Sequence, residues 1–328
     1  MDKSPVIIPA ARPEAPAFRF CCLLAEPIFT KDSPKEHSPS GGNKKEVSGI
    51  IYTCNGGFID IAHMRDVCDL TRYYHHQLKR KAGKKDETFS SVHHYKILGH
   101  NGKIVKDIPR DKLLHVAARL AYLESVCHEI VTYWYIDPDV PGGHNSAFSP
   151  EDLVSNHLGA NLGIRAIEAL EKGTFYMYED AVTSELTRLL SDLGDEGATA
   201  TRTKLALGLV QTVPWYIPSV PTTEMKLLRR NFGQNGDFNI VNPWIVPGVT
   251  GCTGSTWPVA ISKTWDLTLD TYFTITYKPD LVWYVPASPV AKKMLGGEVP
   301  HTSFTGHIAT LRKHAEQRYG SSYDSPEP

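Results

Sequence analysis

The chain has 328 residues, 41% of them apolar and 22% charged, with a formal net charge of −1. That length and composition allow a large buried core in a soluble globular protein, and the near-neutral charge gives no electrostatic basis for binding nucleic acid or an anionic membrane. Six cysteines without a CxxC pair, no apolar stretch behind Met1-Asp2-Lys3 and no run of bilayer length predict reduced thiols, no signal peptide and a cytoplasmic protein without a membrane partner.

Residues 1–17, rich in Pro and Ala, read as an extended N-terminal arm. Phe18 to Leu24 predicts a strand, Thr30 to Glu46 a polar surface loop, Val47 to Cys54 a second strand and Asn55-Gly56-Gly57 a turn. A helix is expected from Phe58 to Leu78. The basic run Lys79-Arg80-Lys81-Ala82-Gly83-Lys84-Lys85, followed at once by Asp86-Glu87, reads as a solvated loop rather than a nucleic-acid patch. His93–Leu98 and Lys103–Ile108 predict a hairpin about Asn101-Gly102.

Asp111 can cap a long helix to Trp134, with an apolar stripe of Leu113, Val116, Leu120, Leu123, Cys127, Ile130 and Trp134. Ser149-Pro150-Glu151-Asp152 reads as the start of another, to Glu171: serine caps, proline takes the first helical position and two acids complement the dipole. Further helices are expected over Tyr176–Leu193, Thr201–Val210 and Phe304–Tyr319, and strands over Leu267–Tyr277 and Leu281–Val285. There is no regular βαβ alternation and no GxGxxG or Walker-type loop. The expected fold is α+β, a helix-rich core with short β-strands and a looped, strand-bearing C-terminal section. It forms one domain over residues 18–328, with a motif-bearing helical part at 47–212 and a Gly/Pro/Trp-rich, β-containing part at 213–328.

Chemistry concentrates where ionisable residues interrupt stripes that want burial. Ile59, His63, Asp66, Leu70 and Tyr73 follow one helical line, as do Ala117, Ala121, Glu124, His128 and Val131. Buried carboxylates and imidazoles need partners, and two such helices packed together would let His63, Asp66, Glu124 and His128 share one divalent metal ion, of which zinc, iron and manganese all suit mixed N/O ligands. Asp69 and Glu129 are then candidate bases, and Asn156, four residues after Asp152, a candidate for orienting ligand or water. Trp244 and Trp257 offer apolar contact as a substrate wall within the segment 242–258. Each feature has a plainer reading: surface ion pairs, a Glu–His bond inside the core, and helix capping at Ser149–Asp152. Cys54 reads as a buried cysteine rather than a nucleophile, and His75-His76 and His93-His94 as surface pairs. HExxH and GxSxG are both absent.

Three motifs, Gly56-Gly57-Phe58-Ile59-Asp60-Ile61-Ala62-His63 with Arg65-Asp66, Glu124 with His128-Glu129, and Ser146-Ala147-Phe148-Ser149-Pro150-Glu151-Asp152 with Ser155-Asn156 and Leu158-Gly159, together resemble a bacterial family catalogued as domain of unknown function 4056. The resemblance covers roughly residues 47–165 and implies a shared fold with no activity to transfer. Members of that family often look exported, so the lack of a visible signal here suggests a cytosolic relative serving a biosynthetic pathway. The expected function is a metal-dependent enzyme acting on a small organic substrate, hydrolysis ranked first. The alternatives are a non-haem iron oxygenase, a metal-free acid/base cyclase or lyase, and a non-catalytic binding protein with a buried polar network.

Overall fold

The computed structural model describes residues 37, 46, 49–81, 83–90, 97–99, 102–135, 147–194, 199–210, 212–217, 220–227, 230–252, 264–279, 292–293 and 296–319. The arm 1–17, the strands expected at Phe18–Leu24 and Leu281–Val285, His93-His94 and Trp257 lie outside them.

The fold is α+β and helix-rich. Strands β1 (Ile50–Thr53) and β2 (Gly57–Asp60) form an antiparallel hairpin in the register Ile50↔Asp60 to Thr53↔Gly57. β2 runs directly into α1 (Ile61–Arg80) because Asp60 caps it, its Oδ1 accepting from the amides of Ala62 at 2.7 Å and His63 at 3.3 Å. The helix therefore begins three residues later than its periodicity predicts, and Phe58 belongs to the strand. The next elements are β3 (Thr88–Phe89), β4 (Ile97–Gly99), β5 (Gly102–Ile104) and α2 (Leu113–Tyr135), the last preceded by a 3-10 turn over Arg110–Lys112. Helices α3 (Asp152–Glu171), α4 (Tyr178–Asp192) and α5 (Thr199–Leu209) follow, then a hairpin of β6 (Thr212–Ile217) and β7 (Val220–Leu227) that the sequence reading did not foresee. The described C-terminal part adds β8 (Phe273–Thr274), β9 (Thr276–Pro279), β10 (Val299–Pro300) and α6 (Phe304–Tyr319).

Helices α1, α2 and α3 pack on one another and hold most of the core, with α4 against α3 and α6 against α2. Close approach of α3 to α1 depends on Gly159, where a Cβ would lie 2.3 Å from the Met64 carbonyl oxygen. One turn on, a Cβ on Gly163 would meet the Thr71 side chain at 2.7 Å.

Several expectations are corrected. The hairpin about Asn101-Gly102 does not form. β4 joins a sheet of order β10-β9-β4, while β5 joins one of order β3-β5-β8. Gly102 serves instead as the bare cross-strand partner of Phe89, whose ring occupies the space a Cβ would take. Leu267–Tyr272 is a 3-10 turn, not strand, capped by Asp266 through the Thr268 amide. His75 is buried rather than at the surface, and burial lowers its imidazole pKa.

Segment 230–252 is a strap over the β1-β2 hairpin. Tyr52 Oη accepts from the Val246 amide at 2.8 Å. Gly57, at φ +66, lets the Trp244 carbonyl approach where a side chain would block it. Trp244, expected as a substrate wall, packs with Tyr52, Phe58, Ala206, Val246 and Val249 in a second small core. Cys54 is joined to Cys252 by a disulfide, overturning the expectation of reduced thiols at that pair, whereas Cys68 and Cys127 are buried and not disulfide-bonded.

Candidate metal centre

The described residues contain one group of three potential ligands whose donor atoms lie within 4.8 Å of one another: His63 from α1, with His128 and Glu129 from α2. Metal–ligand bonds of about 2.0–2.2 Å put two ligands of one tetrahedral ion on the order of 3.4 Å apart, so small side-chain adjustments would close this group on an ion. His63 Nε2 lies 3.7 Å from Glu129 Oε1, and His128 Nε2 lies 4.0 Å from the same oxygen. The side chains of His63 and Glu129 are 2% exposed and that of His128 12%, so the centre opens on the His128 side.

The far side of the His63 ring faces two carboxylates. Its Nδ1 is 3.1 Å from Asp60 Oδ2 and 3.3 Å from Asp152 Oδ1. Two carboxylates at these distances favour the proton on Nδ1, which leaves Nε2 on the side of Glu129, the arrangement by which an outer carboxylate orients a metal-binding imidazole. Burial pushes the Asp60 carboxyl up, but the His63 charge and the hydrogen bonds from His63 and Ala62 outweigh it and hold the group below its ordinary value.

Glu129 is held from the opposite side. Its Oε2 accepts from the Phe148 amide at 3.1 Å, leaving Oε1 toward the two histidines. Phe148 is a buried aromatic residue at φ +56, a left-handed conformation that costs a bulky side chain about 1–3 kcal/mol. This turn at Ala147–Glu151 also delays α3. The Ser149 side chain does not cap the helix: its Oγ donates toward Glu151 Oε1 at 2.7 Å and Asp152 Oδ2 at 3.1 Å, its amide donates to Asp152 Oδ2 at 2.7 Å, and it is its carbonyl that accepts from the Asp152 amide at 3.0 Å. Asp152 thereby has one oxygen on the turn and the other on His63.

The remaining sequence-selected residues fall in other places. Glu124 accepts from the Tyr74 hydroxyl. Burial, and after it the Glu124 charge, raises the pKa of Tyr74, of Cys127 and of Tyr277, which places the carboxylate in a phenol- and thiol-lined cluster one turn from His128. Asp66 is fully buried in α1 but outside the three-residue group. Asp69 Oδ1 pairs with His37 Nε2 at 3.0 Å. Asn156 is fully buried one turn beyond Asp152, on the α3 face that Gly159 turns to α1, and neither of its amide atoms has a hydrogen-bond partner among the described residues. The adjacent His157 lies between the rings of Tyr122 and Trp265; burial, with Arg119 second, lowers its pKa to about 3.

Asp60 and Asp152 are the site residues that sequence reasoning passed over, and Glu129 entered it as a base rather than a ligand. Asp60 has a legible signal, a lone acid immediately before a helical run with histidine at the third helical position. Asp152 was absorbed into capping. Glu129 hides because neighbours on a helix diverge by about 100°, yet a centre set between helices can be reached by both residues straddling the facing edge.

A family model described as a protein of unknown function (DUF4056) matches residues 25–238, a span that contains all five of these residues. No curated protein and no solved structure matches the chain.

Proposed function

We propose that this chain, which belongs to the DUF4056 family, is a metal-dependent enzyme acting on a small organic substrate, with hydrolysis as its reaction. The observation that carries the reading is the convergence of His63, His128 and Glu129 with two carboxylates behind His63. Two imidazoles and one carboxylate match the ligand type of hydrolytic zinc sites, which keep a fourth position for water. A divalent ion there would supply an activated water and polarise a substrate oxygen. In this arrangement His63, His128 and Glu129 hold the ion, Asp60 and Asp152 fix the His63 tautomer, and the buried Asn156 carboxamide offers one donor and one acceptor to orient water or substrate. Such a ligand set also accommodates iron, so the identity of the metal separates hydrolysis from oxygen chemistry.

The test is elemental analysis of full-length protein purified without added metal. Wild type should carry close to one equivalent, His63→Ala and His128→Ala should lose it, and Glu124→Gln should retain it. Zinc would favour hydrolysis and iron the oxygenase reading. A wild-type protein that neither carries metal nor takes it up on titration would sink the proposal.

A further inference from the structure

Contacts from the 230–252 strap converge on the left-handed Phe148, at φ +56. Its carbonyl accepts from the Asn231 amide at 2.7 Å. The Asn231 carboxamide donates to the Pro150 carbonyl at 3.3 Å and to the Asn242 carbonyl at 3.0 Å, while its Oδ1 accepts from Gly233 at 3.0 Å. The Phe148 ring stacks on Phe232 at 4.9 Å. Asn231 thus pins the turn to the strap, and the strap is pinned to the β1-β2 hairpin by Tyr52 and by the Cys54–Cys252 disulfide. The product of this bracing is one amide, aimed at Glu129 Oε2.

We infer that Asn231 and Phe148 form a positioning device for the metal centre. Asn231 holds the strained turn so that the Phe148 N–H fixes the rotation of the Glu129 carboxylate and presents Oε1 to the ion. The inference rests on the reading of Glu129 as a ligand. It assigns the 230–252 strap the task of setting metal affinity from outside the ligand set, touching neither ion nor substrate. Without the bracing, Phe148 would relax to negative φ, its N–H would swing away and Glu129 would lose its fixed orientation.

The test uses Co(II) titration of metal-depleted full-length protein, read by its visible absorption. Asn231→Ala should bind Co(II) about 10-fold or more weakly, with a changed spectrum. Val249→Ala, in the same strap but without bonds to the turn, should keep the wild-type spectrum and bind within about 3-fold. Equal losses in the two variants, or none in Asn231→Ala, would overturn the inference. Hydrogen exchange at the Phe148 amide in metal-free protein separates this from the metal reading. The amide should be protected in wild type and exchange faster in both Asn231→Ala and Glu129→Ala. If wild type binds no Co(II) but this pattern holds, only the metal reading fails; a Phe148 amide unprotected in folded wild type overturns the positioning device without any variant.

Discussion

At the scale of single residues, two buried histidine environments carry opposite logic. His63 has acceptors on one nitrogen and potential co-ligands on the other. Removing one carboxylate charge while conserving size should loosen the ring without deleting a ligand, so Asp152→Asn is expected to weaken metal binding by about 10–100-fold, measured by competition with a chromogenic chelator. His157 has no such partners. It is buried among aromatic rings with a pKa near 3, whereas the unfolded chain takes up its proton near pH 6.5. Because the unfolded state binds more protons between those values, stability falls as pH drops through 6.5 toward 3, by about 2 kcal/mol at pH 5 relative to pH 8. His157→Leu lacks this term and should show a smaller loss in urea midpoint between pH 8 and pH 5 than wild type; parallel losses in both proteins would contradict the assignment.

At the scale of elements, the helix α1–α3 contact makes a prediction opposite in sign to intrinsic propensity. Alanine is normally about 1 kcal/mol better than glycine in a helix. At Gly306 in α6 nothing lies within 4 Å of an added Cβ, and Gly306→Ala should stabilise by about 0.5–1 kcal/mol. At Gly159 the Cβ would sit 2.3 Å from a backbone carbonyl; that clash forces the helices apart and should cost about 1–3 kcal/mol. Since Asp152 on the same helix reaches His63, Gly159→Ala should also reduce metal uptake, and urea unfolding with chelator competition on the two variants checks both signs. The elements themselves were largely legible in the sequence: the long helices follow apolar stripes, and the helices containing His63, Glu124 and His128 do pack together. What was not legible is which edge of each helix faces the other. A stripe gives the centre of a buried face, so it joined Glu124 to His128, but Glu124 meets α1 at Tyr74, far along the helix from His63, and it is Glu129 that reaches His63. The short strands β4 and β5 read as partners of each other, but β4 pairs with β9, and β5 pairs with β3 on one side and β8 on the other; β8 and β9 lie far along the chain, where no local pattern points.

At the scale of the molecule, the strap and the hairpin are joined by a covalent bond between Cys54 and Cys252, which stand 198 residues apart in the chain. Spacing alone gave no hint of the pair, since a link across so long a stretch leaves no periodic trace. Its physical consequence is large because the closed loop is long. Constraining a loop of that size lowers the entropy of the unfolded chain by an amount worth about 5 kcal/mol, and the bond adds to the noncovalent contacts between strap and hairpin, Tyr52 to Val246 and Gly57 under Trp244. Reduction should therefore lower the thermal midpoint markedly, and Cys54→Ser with Cys252→Ser should reproduce that midpoint with no further drop on adding reductant. In denatured but unreduced protein Cys54 and Cys252 should escape a thiol-alkylating reagent, and both should react after reduction. Alkylation of both before reduction would mean that the strap is held by packing alone, and the fall on reduction should then vanish as well. Because the strap also carries Asn231 and hence the Phe148 turn, the same reduced protein should bind metal more weakly even well below its midpoint, which distinguishes local loosening of the centre from loss of the folded state.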